Sequence, residues 1–242
     1  MYFDIILEIY GGHMIDNIRT LRKGKLIVNY KNYEDSNILR EFIYKIAYKF
    51  EDIKDYFSVE YDSLELTLYS KTDFDEFVAN VTSQYGTKDN IPNWLVGFSI
   101  NKGIHIVIPT ADRLEYMAKV AIHELVHLLS YKIEHKEKRV KLLDEGIACF
   151  LANQMSEKRF ETIIQDYDQN NLHKIEDFCI YNGNEFGKLN GYAYSYVIME
   201  FLNLKFGKEK ILYWLKYPEE FIKVVPTIET NFRGYLINKI TK

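Results

Sequence analysis

The spacing of apolar residues changes at Pro109, and no other feature limits the available folds as strongly. Before Pro109, short segments with strand-like alternation occur between helical segments, whereas the apolar residues after it repeat with helical spacing. This order predicts an α+β fold in which an N-terminal mixed sheet with helices is followed by a mainly helical part. We expect an N-terminal α/β subdomain, residues 1–130, and a helical C-terminal subdomain, residues 131–242, to form one compact unit.

Strand and helix predictions in the first half follow from these periodicities. Leu64, Leu66 and Leu68 alternate with polar residues, which predicts a strand over 63–69, and residues 25–30 have a similar pattern. Between the two strands, apolar residues at helical spacing predict a helix. A second helix is expected to begin near Thr72, which resembles the first residue of a capping box.

A hairpin and four helices complete the prediction. Residues 95–100 and 104–108 are expected to pair across a turn at 101–103. The helices predicted after Pro109 cover residues 114–128, with Thr110 as N-cap, 142–155, 192–206, ended by Gly207, and 232–240.

The composition excludes several classes of partner. Of the 242 residues, 47% are apolar, and the net charge of −4 comes from interspersed acidic and basic residues without a basic block. No apolar run approaches the roughly 20 residues of a membrane span, and two cysteines do not make a disulfide framework. We expect no nucleic-acid or membrane partner, and a cytoplasmic chain as written, or a secreted one if an export segment was removed. The oligomeric state stays open.

The sequence His-Glu-Leu-Val-His at residues 123–127 lies midway along a strongly periodic helix. Histidines at i and i+4 share one helical face, about 6 Å apart, so both rings can reach one metal ion. Glu124 borders the same face without being a third ligand, and a carboxylate there can take a proton from a metal-bound water. With the chain's own composition, such a string occurs in at most about 2% of shuffled sequences, so the motif is specific.

A catalytic zinc site requires three protein ligands and one open position. A third histidine six residues after His127 is missing, because that position holds Ile133, and His135 lies in a charged run. Glu145, near the start of the next predicted helix, is the better candidate, since two antiparallel helices would bring it opposite the histidines. Its neighbour Asp144 is the alternative ligand.

His123-Glu-x-x-His127 followed by Asp144-Glu145-Gly146-x-Ala148 resembles the gluzincin zinc peptidases, which include thermolysin, aminopeptidase N-like enzymes and bacterial collagenases. The Trp94–Phe98 segment and the strand leading into the histidine helix are similar to small bacterial members described as peptidase MA-like. The resemblance implies a zincin-like fold, one zinc ion bound by His123, His127 and Glu145, and a peptide or protein substrate. It also implies that Glu124 is the general base and passes its proton to the leaving amine.

Two further expectations come from the same resemblance. The segment opening at Gly191 is similar to the one that carries the family's transition-state tyrosine, and Tyr192 matches that tyrosine best, with Tyr194 second. The strand at 104–108 would be a sheet edge that pairs with extended substrate, as unpaired backbone groups allow. His105 on that strand is more typical of a structural histidine.

Two departures from the family pattern matter. Cys149 stands where thermolysin-like members carry an aspartate that orients a histidine, and the apolar residues around it predict a buried thiol. The glutamate with which aminopeptidase N-like members bind a free N-terminus has no counterpart near Asn93–Gly97. We therefore expect a zinc metallopeptidase that acts as an endopeptidase rather than an aminopeptidase. The alternatives are an inactive gluzincin-like binding or regulatory module with structural or no zinc, and a zinc enzyme for non-peptide amides or esters.

Overall fold

A computed structural model describes residues 18–31, 36–84, 95–100, 103–133, 139–179 and 183–242, which form a mixed α+β protein. The strands of these parts are β1 (Ile18–Lys23), β2 (Leu26–Lys31), β3 (Leu64–Tyr69), β4 (Gly97–Ile100) and β5 (Gly103–Val107). Their α-helices are α1 (Ser36–Phe57), α2 (Lys71–Gln84), α3 (Leu114–Ser130), α4 (Lys141–Leu151), α5 (Glu157–Asp168), α6 (Gly183–Lys188), α7 (Gly191–Lys216) and α8 (Pro218–Ile240). The chain separates into two compact units, divided between Leu128 and Leu129.

The five strands form one sheet in the order β1-β2-β3-β5-β4. β2, β3 and β5 are parallel, and β1 and β4 lie antiparallel on the two sides. The expected sheet edge at 104–108 is wrong, because β5 pairs with β3 on one side and with its hairpin partner β4 on the other. Among the described strands, β4 is the outermost one on that side.

The core of the first unit contains apolar residues of the sheet and of its helices. Leu64 and Leu66 of β3 and Ile104 of β5 are fully buried, and Phe42 and Ile46 of α1 are buried as well. The side chains that alternate with them point to the other face, where α2 packs against β5 and β3. The alternation of residues 63–69 therefore predicted correctly which side chains of this strand are buried.

The start of α2 differs from the prediction in its cap. The hydroxyl of Ser70 accepts a hydrogen bond of 3.1 Å from the backbone N–H of Asp73, so Ser70 is the capping residue. Thr72 lies within the helix, whose first residue is Lys71. Thr110 precedes a 3₁₀ turn that leads into α3, but its side chain makes no capping hydrogen bond.

The second unit contains only helices among its described residues, and α4 against α7 is its most extensive helix pair. Gly207, predicted to end a helix, has φ of 76° and interrupts the helical geometry within α7. The chain becomes helical again directly after it, so the ordered segment reaches Lys216. The last helix begins earlier than predicted, with Pro218 in its first turn, where the missing proline N–H is not needed. None of the described helices combines the length and apolar character required to cross a membrane.

Of the hairpin turn expected at 101–103, residues 101–102 lie outside the described residues. Trp94, the first residue of the segment that resembles peptidase MA-like proteins, also lies outside them. His135 lies outside them as well. The predicted helix 142–155 is shorter in the structure, because α4 ends at Leu151 and Asn153 then adopts a left-handed conformation with φ of 49°.

Candidate metal centre

His123 and His127 lie on α3 with their rings turned toward each other. Both are buried, with exposed fractions of 8% and 7%, and the apolar residues Leu125 and Val126 between them are fully buried. The two Nε2 atoms are 3.0 Å apart, and the ring planes are nearly perpendicular at 84°. The i, i+4 spacing predicted from the sequence therefore brings two imidazole nitrogens to one point.

Glu145 of α4 joins the two histidines to form a group that could hold a metal ion. The carboxylate is buried, and one ligand atom from each of the three residues lies within 4.8 Å of the others. A tetrahedral zinc ion with bonds of about 2.0–2.2 Å separates its ligand atoms by roughly 3.3–3.6 Å. The observed separations bracket that value, so small side-chain rotations would adapt the group to an ion of this size.

The two adjacent acidic residues of α4, Asp144 and Glu145, lie next to different basic side chains. Lys141, one turn earlier, places its Nζ 2.6 Å from Glu145 Oε1. The alternative ligand Asp144 is not part of the three-residue group, and its Oδ2 lies 3.8 Å from Arg139 Nη1. Lys141 was not among the residues predicted from the sequence, although its spacing of four residues from Glu145 was an available signal.

Glu124 follows His123 directly in α3 and is partly exposed, unlike the two buried histidines. It is not one of the three residues that could hold the ion. A partly exposed carboxylate next to a buried ligand can exchange protons with solvent more readily than a buried one. The position suits the base predicted for it, although its role stays a prediction.

Gly97 lies where strand β4 of the sheet approaches α3. A Cβ atom added to Gly97 of β4 would lie 3.0 Å from the Cγ1 atom of Val120, one turn before His123. A side chain at this position would therefore require its neighbours to shift by a few tenths of an ångström. The short β4 strand is held next to the segment of α3 that carries the histidines.

Within the second unit, a second glycine allows α4 to approach α7. A Cβ atom on Gly146 would lie 3.0 Å from the carbonyl oxygen of Ser195 and 3.2 Å from the Cε atom of Met199. This contact fixes Glu145, the preceding residue, beside the first turns of α7. Tyr192 lies in the first of these turns, three residues before Ser195.

The two candidate tyrosines have different surroundings. Tyr192 is partly exposed, and the edge of its ring packs against Phe186 at a centroid distance of 5.4 Å. Tyr194 is fully buried, and its hydroxyl donates a hydrogen bond of 3.0 Å to Asp166 Oδ2. Burial and the nearby Asp166 carboxylate both raise the pKa of Tyr194 above its ordinary value. The hydroxyl of Tyr194 is therefore committed to its neighbour inside the second unit.

Cys149 is buried, as predicted, and its Sγ lies 3.4 Å from Gln154 Oε1. This contact lies at the C-terminal end of α4. The thiol thus contacts the turn that follows its own helix.

His105 of β5 belongs to an aromatic cluster, defined here as His105, Tyr69, Phe77 and Phe98. Its Nδ1 lies 2.9 Å from the Tyr69 hydroxyl, and its ring stacks on Phe77 at 4.5 Å and on Phe98 at 5.6 Å. Burial lowers the pKa of His105 to about 4, which leaves the ring neutral at pH 7. The structural interpretation of this histidine agrees with these contacts.

A cavity of about 320 Å³ in the first unit lies over the carboxyl ends of β2 and β3 and against α2. Tyr30, Tyr69 and Phe77 are among the residues that line it. None of the predicted site residues contributes to this lining. The cavity therefore shares no lining residue with the group that could hold a metal ion.

Comparison with known proteins does not assign the chain to a family. No protein-family model matches the sequence, and a search among curated proteins finds no significant match. What the protein does must therefore be inferred from the metal group of His123, His127 and Glu145 and from the residues next to it.

Proposed function

We propose that the protein is a zinc-dependent peptidase with a zincin-like fold of the gluzincin type. The observation that carries this proposal is the buried group of two imidazoles and one carboxylate, whose ligand atoms lie within 4.8 Å of one another. Two histidines and a glutamate are the ligand set of many catalytic zinc sites, whereas magnesium and calcium favour oxygen ligands. The metal is therefore proposed to be a single zinc ion.

The residues of the chain then have distinct roles in hydrolysis. Bound zinc would lower the pKa of a coordinated water and polarise the scissile carbonyl. Glu124 accepts the proton that the water loses as its oxygen attacks the carbonyl carbon, and delivers it to the nitrogen as the carbon–nitrogen bond breaks. Tyr192 donates a hydrogen bond to the oxyanion. Tyr194 is the weaker candidate for this role, because its hydroxyl already donates to Asp166.

The proposed substrate is a peptide or protein cleaved within its length. The glutamate that would bind a free N-terminus is missing from residues 93–97, which stand at the position of the aminopeptidase pattern. β4 is the outermost described strand on its side and lies close to α3, which supports β4 as the strand that pairs with an extended peptide. This role moves from β5, where the sequence had suggested it, to β4.

The test combines metal analysis with a substitution of the proposed base. Purified protein is dialysed, its zinc content is measured by mass spectrometry, and cleavage of casein and of a peptide library is followed. Glu124→Gln is expected to keep one zinc ion per chain and to lower kcat by about 10²- to 10⁴-fold. Glu115→Gln, the same change at an exposed position of the same helix, serves as the matched control and should leave kcat unchanged. Near wild-type cleavage by Glu124→Gln would contradict the mechanism.

The second candidate is an inactive gluzincin-like module with structural or no zinc. It is favoured by the ion pair with Lys141, which gives the Glu145 carboxylate a positive partner without a metal ion. Wild-type protein that binds zinc but cleaves neither casein nor any library peptide, nor small amides and esters, would support this candidate. Turnover of the small substrates alone would instead identify a zinc enzyme with a non-peptide substrate.

A further inference from the structure

Lys141 and Glu145 form a largely enclosed ion pair on the first turns of α4. The Nζ atom of Lys141 is 2.6 Å from Oε1 of Glu145, and the two side chains are 25% and 10% exposed. The ammonium also lies over the ring of Phe186, 5.3 Å from its centroid. The lysine is thus held in place by a carboxylate and an aromatic face, and its charge does not point freely into solvent.

The helix itself does not explain this arrangement. The N-terminal end of a helix carries a partial positive charge, so a lysine at the first position of α4 is electrostatically unfavourable for the helix. A lysine that precedes its glutamate by four residues is also the less favourable order of the pair. The cation stands at a position that helix stability disfavours, and it contacts the one carboxylate of the metal group.

We infer that Lys141 is a positioning residue for the third metal ligand. Its ammonium holds Oε1 of Glu145, so that the carboxylate presents only its other oxygen to the ion. A carboxylate bound through both oxygens would fill an additional coordination position, whereas a catalytic site must leave one open for water. This inference rests on the proposed zinc site, and it assigns to Lys141 the task of keeping Glu145 a one-oxygen ligand.

Metal binding without any substrate tests the inference. Zinc affinity of the full chain is measured by competition with a chelating dye for wild type, Lys141→Met and Lys141→Arg. Methionine matches the length and helix propensity of lysine but lacks the charge, whereas arginine keeps it. Lys141→Met is expected to bind zinc about 10- to 100-fold more weakly, as loss of an orienting partner does in zinc sites. Lys141→Arg should recover most of that loss.

A second readout reports the coordination directly. Cobalt(II) replaces zinc in the wild type and in Lys141→Met, and the visible absorption of the bound ion is recorded. Four-coordinate cobalt absorbs more strongly than five-coordinate cobalt, so the absorptivity is expected to fall in Lys141→Met as Glu145 binds through both oxygens. A lysine that only stabilised the helix would change the melting temperature but not this spectrum.

Lys223→Met is the matched control, because Lys223 forms an exposed pair with Glu220 on α8 and the same charge is removed there. It should leave both zinc affinity and the cobalt spectrum unchanged. If Lys141→Met does not fold by circular dichroism, Lys141→Gln replaces it. Unchanged or tighter zinc binding with an unchanged cobalt spectrum would overturn the role of Lys141 while leaving the zinc site intact. Failure of the wild-type protein to bind zinc would instead overturn the proposed function itself.

Discussion

The metal group around His123 and His127 and the aromatic cluster around His105 both enclose imidazole rings, but the polar atoms of these rings meet different partners. In the metal group, two Nε2 atoms approach to 3.0 Å and a carboxylate belongs to the same set. In the aromatic cluster, the Nδ1 of His105 faces the hydroxyl of Tyr69, and the ring faces are covered by phenylalanines. The possible ligand atoms of the metal group therefore converge, whereas the Nδ1 atom of His105 faces a tyrosine hydroxyl.

Burial alone therefore does not mark a histidine as a metal ligand. The two facing Nε2 atoms of His123 and His127 can share one hydrogen bond if one ring presents its N–H there, and both can bind a cation if each ring carries its proton on Nδ1. His105 has its hydrogen-bonding partner in Tyr69 and needs no ion. The comparison teaches that convergence of donor atoms, rather than enclosure, separates a candidate site from a packed core residue.

The largest expected effect is the loss of zinc binding when one histidine of the metal group is replaced. His123→Asn removes a ligand, and because changes in orienting partners alone cost about 10- to 100-fold, its zinc affinity should fall by more than about 100-fold. His105→Asn should keep the affinity of the wild type, since its ring packs in the aromatic cluster and His105 is not one of the three residues of the metal group. Competition with a chelating dye measures both. Equal zinc affinity of His123→Asn and His105→Asn would contradict the assignment of His123 as a metal ligand.

A smaller effect is expected from the two tyrosines of α7, of which Tyr192 is the proposed oxyanion donor and Tyr194 donates its hydroxyl to Asp166. Tyr192→Phe should lower kcat about 100-fold without changing zinc affinity, because it removes a donor to the oxyanion. Tyr194→Phe should leave kcat unchanged and lower the free energy of unfolding by about 1 kcal/mol, since Asp166 loses a hydrogen-bond donor. Steady-state kinetics and urea unfolding separate the two outcomes. If Tyr194→Phe lowered kcat more than Tyr192→Phe did, Tyr194 rather than Tyr192 would be the donor to the oxyanion.

The sequence predicted the elements whose stability depends on their own periodicity. β2, β3 and α3 lie close to their predicted bounds, and α1 is the helix predicted between the two strands, because each alternation or helical repeat marks the face that becomes buried. β1 was missed, since Ile18–Lys23 contains three basic residues and its strand geometry comes from antiparallel pairing with β2. α5 was also missed, although Ser156 accepts the hydrogen bond of its first turn.

The position of β5 within the sheet could not be predicted from its pattern. Alternation shows which face of a strand is buried, but neighbours are set by pairings between distant segments, such as Leu66 with Ile104. For the candidate site, the histidine pair followed from helical spacing, whereas Glu145 depended on an expected pair of antiparallel helices and on the resemblance to a known motif. Lys141 was missed because a lysine four residues before a glutamate usually reads as an exposed surface pair.

The smallest expected effect concerns the pH dependence of stability, and it sharpens the interpretation of the aromatic cluster. Burial lowers the pKa of His105 to about 4 in the folded protein, whereas an unfolded histidine titrates near pH 6.5. The unfolded state therefore binds a proton first, so the stabilising contribution is complete above about pH 6.5 and is lost as the pH falls toward 4. The loss should be on the order of 1–2 kcal/mol, after allowance for the partial exposure of the ring.

Urea unfolding at pH 7 and pH 4.5 measures this loss, with His105→Phe as the variant that cannot titrate. The wild type should lose more stability between the two pH values than the variant, and the difference isolates His105 from carboxylates that titrate in the same range. Because the pKa is lowered by burial rather than by a neighbouring charge, added salt should leave the difference unchanged. Equal losses in the two proteins would mean that the ring is protonated at little cost inside the cluster, and its contrast with the metal group would then rest on geometry alone.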